Sequence, residues 1–229
     1  MKFVISSENP LDGLDGKKVL NFINLNTIWW LKNDDFYRGL MFGDQNLNFP
    51  DGRILAFFSG FKQKRGPTFT KEFLLSEKAR ERKHFFIGLE NEDLRKLSEV
   101  VKIPPKKLSS YNPPYIKNLE FSPEERKKII SLIRKFRPDF AWVCVGSPKQ
   151  EILANQLFNE YKIVYFNVGA ATDFLLGKKK EAPAVFRKLG LEWFYRFVTD
   201  FKYSKKKVWR SFIGLFYLVA GNVNLKQIR

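Results

Sequence analysis

Asp51 stands in Phe49-Pro50-Asp51-Gly52, a carboxylate inside a turn-forming tetrapeptide. Pro-Asp-Gly reads most simply as a turn. Placed beside a bound substrate, the same carboxylate can take the proton of an attacking hydroxyl. A second stretch, Gly146-Ser147-Pro148-Lys149-Gln150-Glu151, follows a strongly apolar run and opens a helical one. Ser147 can cap that helix, Pro148 can fill its first position and Gln150 can close a capping box. Free N–H groups and the positive end of the helix would then face an anion such as a diphosphate. An ordinary capped helix accounts for the hexapeptide equally well. Asn167, Gly169 and Asp173 repeat the arrangement further on, with small residues that let a ligand approach the backbone and an acid within reach of ribose hydroxyls. A first-turn helix acid is the simpler reading of Asp173. Arg65, in Arg65-Gly66-Pro67-Thr68, offers a guanidinium to phosphate or serves as a solvated loop residue, and Asn24 and Asn26 close an apolar run at Asn24-Leu25-Asn26-Thr27. The lone His84 starts an apolar strand and the lone Cys144 lies within one, so both read as structural. No His/Cys set for zinc and no carboxylate cluster for magnesium is visible, and no metal or other cofactor is expected.

These residues need a scaffold that brings them together. Short β-branched and aromatic runs at 19–24, 54–58, 84–89, 140–146 and 163–169 alternate with helical patterns at 68–82, 91–101, 122–136 and 148–161. Such alternation predicts an α/β fold: a largely parallel sheet with helices on both faces. Several of the strands end in Asn or Gly, at the carboxyl edge where open α/β sheets bind ligands. Ser122-Pro123-Glu124-Glu125 is a helix start with its cap, first-turn proline and acids in order. Residues 102–118, with four prolines, read as a loop-like connection. The glycines match neither G-x-G-x-x-G nor G-x-x-x-x-G-K, which disfavours an ordinary dinucleotide fold.

The chain has 229 residues, 44% of them hydrophobic, enough to bury a core, and its 24 Phe exceed what such a core usually takes. Some aromatic surface is therefore expected to meet lipid, a partner or a ligand. The net charge is +17, and residues 178–229 hold 13 Lys/Arg against Glu181, Glu192 and Asp200. That field suits polyanions: nucleic acid, anionic head groups or phosphorylated substrates. A single cysteine fits a reducing compartment, the first ten residues show no secretory pattern, and the longest apolar run, 212–220, is too short to span a bilayer.

Together, Pro50-Asp51-Gly52, Arg65-Gly66, Tyr111-x-Pro113-Pro114, Gly146-x-Pro148-Lys149-Gln150-Glu151, Gly169-Ala170-x-x-Asp173-Phe174-x-x-Gly177, Ala182-Pro183 and Gly190-Leu191-Glu192-Trp193-Phe194-Tyr195-Arg196 follow the order seen in WecG/TagA/CpsF glycosyltransferases. The resemblance, from about residue 24 to residue 197, implies a Rossmann-like domain at 1–190 and a basic, aromatic, membrane-associating appendage at 191–229. It implies an inverting, metal-independent transfer from a UDP-sugar donor, N-acetylmannosamine-type, to a polyprenyl-diphosphate-linked sugar acceptor in cell-surface polysaccharide biosynthesis. Asp51 would be the base. Asn24, Asn26, Arg65, Gly146, Lys149, Gln150, Glu151, Gly169, Asp173 and Arg196 would line the substrate site. The family usually shows Thr-x-Asn where this chain has Asn24-Leu25-Asn26. The expected partners are the two substrates and an anionic membrane surface, with a homo-oligomer left open and nucleic acid not expected. The expected location is cytoplasmic, peripheral on the inner face of the cell membrane. An inactive, membrane-bound family member and a basic nucleic-acid-binding protein are the competing readings; the second explains the charge but not the motifs.

Overall fold

The computed structural model describes residues 1–6, 10, 17–180, 182–183, 185–186, 195, 198 and 201–228. In chain order the described elements are β1 (Lys2–Ser6), β2 (Val19–Ile23), α1 (Leu25–Asn33), α2 (Asp35–Met41), β3 (Asn46–Pro50), α3 (Arg53–Ser59), α4 (Gly66–Leu75), α5 (Glu77–Arg80), β4 (His84–Ile87), α6 (Asn91–Val101), β5 (Leu108–Tyr111), α7 (Pro123–Phe136), β6 (Phe140–Val143), α8 (Lys149–Glu160), β7 (Val164–Asn167), α9 (Ala171–Leu175), α10 (Phe201–Val219) and β8 (Asn224–Ile228). Six strands form one sheet in the order β3-β2-β7-β6-β4-β5, every neighbouring pair parallel, while β1 and β8 form a separate parallel pair. The expected α/β class, with a parallel sheet covered on both faces, is what the chain adopts.

Strand alternation sorts the core. Along β6, Phe140 and Trp142 face one side and Ala141 and Val143 the other. The first side packs Leu20, Phe22, Trp142 and Phe166 under Phe69 and Phe73 of α4 and Leu97 of α6, with the Trp142 and Phe166 rings 4.4 Å apart. The second packs Ile129 and Ile133 of α7 and Leu153, Ala154 and Leu157 of α8. A third cluster joins β1, α1 and α2 to Leu218 of α10. Asparagines tie these layers together. Asn167 Nδ2 donates to Asn21 Oδ1 (2.6 Å), Asn21 Nδ2 donates to Asn46 and Asn48 (2.9 Å each), and Asn46 exchanges hydrogen bonds with Asn155 of α8.

Three expectations need correction. Residues 54–58 are helix, not strand: α3 buries Leu55, Ala56 and Ser59 and leaves Phe57 and Phe58 outside. The strand lies earlier, at β3, where an edge position tolerates the terminal Pro50. The 102–118 connection contains β5, and 68–82 is two helices divided at Ser76, which ends α4 and caps α5.

α10 packs along α1. A Cβ on Gly214 would lie 2.1 Å from the Leu25 carbonyl oxygen, so only glycine permits the approach. The Arg210 guanidinium stacks 4.4 and 4.5 Å from the Trp29 and Trp30 rings. The opposite face of α10 carries Trp209, Phe212, Phe216 and Val219, between 50% and 67% exposed at helical spacing. The domain boundary expected after residue 190 lies outside the described residues.

Candidate active site

The carboxyl ends of β3, β2, β7 and β6 lie side by side and carry most of the expected residues. Ile23 pairs with Pro50, so Asn24 and Asp51 leave neighbouring strands at one level. Asn167 pairs with Asn21 on one side and Val143 on the other, which brings Gly169 and Gly146 to the same edge. At about 4.8 Å per strand, the four ends span about 14 Å.

Asp51 is fixed by its surroundings. Its N–H donates to the Ile23 carbonyl (2.8 Å), its carbonyl accepts from Gln63 Nε2, and its Oδ1 accepts from the Gly66 N–H (2.9 Å). Gly66 opens α4, so the carboxylate rests at the positive end of that helix. Arg65 is the N-cap residue of α4, and its Nη1 lies 3.4 Å from Thr68 Oγ1.

Asn24 caps α1. Its side chain accepts from the Asn26 N–H (3.0 Å), while Thr27 Oγ1 accepts from the Asn24 N–H (3.2 Å). Asn26 and Gln150 are each 5% exposed, yet Asn26 Oδ1, Gln150 Oε1 and Asn167 Oδ1 find no hydrogen-bond partner among the described residues. Buried amide oxygens normally have partners, so three such acceptors at the strand ends suit a ligand rich in hydroxyls. Gly169, at φ 54°, is needed here as well: a Cβ would stand 3.3 Å from Gln150 Oε1.

The helix at this edge starts differently from expectation. α8 begins at Lys149 with Pro148 as N-cap and no side-chain cap, and Gln150 Nε2 donates instead to Glu151 Oε1 (3.0 Å). The Ser147–Gln150 capping box does not form, because the helix starts one residue later than expected, with Pro148 and not Ser147 as its N-cap. Burial pushes the Glu151 pKa up, opposed by its own backbone N–H, the Gln150 amide, the Ser147 hydroxyl and the charge of Lys207 on α10. Burial and Glu151 likewise raise the Tyr37 hydroxyl well above its ordinary value.

Other expected residues stand elsewhere. Lys149 Nζ donates to the Ile116 carbonyl and sits 4.8 Å from the Tyr115 ring centre, engaged with the 112–118 segment. Asp173 is a first-turn acid of α9, which packs on α4, and its Oδ2 accepts from Lys179 Nζ (2.6 Å). Arg196 lies outside the described residues. Among the described residues no three His, Cys, Asp or Glu side chains gather as a metal site, and no helix is long and apolar enough to cross a membrane. Sequence reasoning missed Gln63, Thr27, Tyr37 and the asparagine network, whose pairs are up to 146 residues apart and leave no local signal.

Residues 11–228 match the sequence profile of the Glycosyl transferase WecG/TagA/CpsF family. The N-acetylglucosaminyldiphosphoundecaprenol N-acetyl-beta-D-mannosaminyltransferase of Staphylococcus aureus (strain NCTC 8325 / PS 47) is 38% identical over 79 residues, covering 34% of this chain and 31% of that protein. Its counterpart from strain MRSA252 is 39% identical over 80 residues, again 34% and 31%. The alignments thus span about a third of the curated relatives' length.

Proposed function

The chain belongs to the WecG/TagA/CpsF glycosyltransferase family, and on that premise we propose that it moves an N-acetylmannosamine-type sugar from a UDP-sugar to a sugar carried on polyprenyl diphosphate, with inversion and without a metal. The observation that carries this reading is the placement of Asp51. Its carboxylate is held by the Gly66 N–H at the strand edge that also presents the unpartnered oxygens of Asn26, Gln150 and Asn167. A base must be fixed within hydrogen-bond reach of the hydroxyl it deprotonates, and the acceptors beside it can grip sugar hydroxyls.

The step follows from that arrangement. Asp51 takes the acceptor proton as the oxygen bonds to the anomeric carbon, and the bond to UDP breaks on the opposite face. Charge growing on UDP meets the N–H groups at the start of α8 and cations such as Arg65 and Arg196. The names of the Staphylococcus aureus relatives specify a β-mannosaminyl product, which an α-configured nucleotide sugar yields only by inversion.

A peripheral position on the inner face of the membrane is part of the same proposal, and α10 supports it. The exposed Trp209, Phe212, Phe216 and Val219 form one stripe of α10, and the exposed Lys205 and Lys206 precede it. Such a helix can lie in the interface, each lysine adding about 1 kcal/mol on an anionic leaflet. The test is the anomeric configuration of product made from UDP-N-acetylmannosamine and a short-chain lipid diphosphate sugar. A β-linked product bears the mechanism out; an α-linked one removes direct displacement driven by Asp51.

A further inference from the structure

Beside Asp51, at the β3 edge of the sheet, Arg53, Ala56 and Phe57 of α3 and Lys62 and Gln63 of the segment after it line an open surface hollow of about 430 Å³. We propose that this hollow is the subsite for the diphosphate of the lipid-linked acceptor, an inference that rests on the transferase reading above.

Four observations converge. First, Arg53 and Lys62 are exposed and, among the described residues, form no ion pair or side-chain hydrogen bond, so two cations line one hollow whose described wall holds no carboxylate. A diphosphate diester carries two negative charges that such a pair can match, the guanidinium by two parallel N–H bonds and the ammonium as a point charge. Second, the hollow is tied to the base: Gln63, in its wall, donates to the Asp51 carbonyl. Arg53 is two residues beyond Asp51 in the chain, so their Cα atoms stand no more than about 7 Å apart. A sugar whose hydroxyl meets Asp51 thus has Arg53 within reach of its anomeric phosphate.

Third, the hollow lies on the β3 side of Asp51, whereas the α8 start and Gln150 lie on the β6 and β7 side. Donor and acceptor phosphates are thereby kept apart on opposite sides of the base, so the two like-charged groups do not compete for one subsite. Fourth, the rim is apolar where a lipid would leave. Phe57 is 83% exposed beside Phe58, and α3 packs against β8, the strand that follows α10 and its aromatic stripe.

The experiment compares the full chain with its Arg53→Gln/Lys62→Gln variant in bilayer-free solution. Both side chains are exposed and unpaired, so the variant is expected to fold. Titration calorimetry reads the affinity of a short-chain prenyl diphosphate N-acetylglucosamine against its monophosphate counterpart. Wild type is expected to favour the diphosphate by about tenfold or more, and the variant to lose that preference. Equal affinities for the two ligands in wild type, or an undiminished preference in the variant, overturn the subsite. A difference that emerges only on vesicles containing anionic lipid assigns the two cations to head groups instead and also overturns it. UDP release on the same samples tests the transferase reading separately. In the variant the acceptor KM is expected to rise about tenfold or more, with kcat and donor KM within about twofold.

Discussion

Gly214→Ala separates two accounts of the C-terminal helix by the sign of its effect. In a helix that packs on nothing, replacing glycine with alanine raises stability by about 1 kcal/mol, because alanine restricts the unfolded chain more. In the structure, the new Cβ would lie 2.1 Å from the Leu25 carbonyl oxygen and 3.0 Å from its carbonyl carbon. Both are backbone atoms at the start of α1, so no side chain can swing aside and α10 must move away. That movement disturbs the Arg210 stacking on Trp29 and Trp30 and uncovers Leu218, which is 6% exposed. Overpacking of this kind costs about 1–3 kcal/mol, or more when backbone is struck, and outweighs the propensity gain. The expected net loss is about 1–2 kcal/mol, read as a Tm lower by about 2–8 °C in a chain of this size. Because Leu25 follows the Asn24 cap, the displaced helix also disturbs the strand edge, and kcat/KM falls with Tm. A Tm higher by about 2–4 °C, with activity intact, would show that α10 does not dock on α1 and would refute the packing argument.

Three further outcomes follow from the core. His84 Nδ1 accepts from Trp142 Nε1–H (3.0 Å), so Nε2 carries the proton to the Ala79 carbonyl (2.9 Å), and burial lowers the ring's pKa from 6.5 to about 4. The unfolded chain binds this proton first, so the contribution is intact above pH 6.5 and about 3 kcal/mol is lost as the pH falls toward 4. Glu151 acts in the opposite sense: its raised pKa means stability present below 4.5 and lost as pH rises through the folded value. Glu151→Gln, keeping the shape without the titration, should therefore be more stable than wild type at about pH 8 and lose stability more steeply on acidification, as urea titrations at several pH values would reveal. Asn155→Leu removes the group that accepts from Gln45 and Asn46 and donates to the Glu151 carbonyl. It should cost about 2–4 kcal/mol in denaturant unfolding, and an unchanged midpoint would contradict the network's role.

How far the sequence could be read depended on whether a residue's role was local. β4, β6 and β7 were legible because Phe, Trp, Val and Ile repeat there at strand spacing between helical patterns. β3 was hidden because Asn46 and Asn48, polar residues in a strand, both accept from Asn21 of the neighbouring β2. The apolar run beginning at Ile54 passed for a strand because a short run cannot distinguish a strand from a helix whose outer face also carries phenylalanine. At the site, Asn24, Asp51 and Gln150 were visible as motifs, and parallel register explains why they meet at one edge. The α8 capping box failed because the helix starts one residue later, at Lys149, with Pro148 as N-cap. Gly214, read only as part of an apolar run, is instead the contact that lets the C-terminal helix approach α1.

The most direct test of the catalytic account is UDP release from UDP-N-acetylmannosamine with a short-chain polyprenyl-diphosphate sugar as acceptor, comparing wild type with Asp51→Asn. The variant keeps an acceptor oxygen for the Gly66 N–H and should fold as wild type does. Acceptor-dependent release in wild type, reduced about a hundredfold or more in kcat with little change in donor KM, is the predicted result. Release that persists undiminished in the variant would contradict Asp51 as the base, and no acceptor-dependent release from wild type with any UDP-sugar would contradict the transferase reading itself.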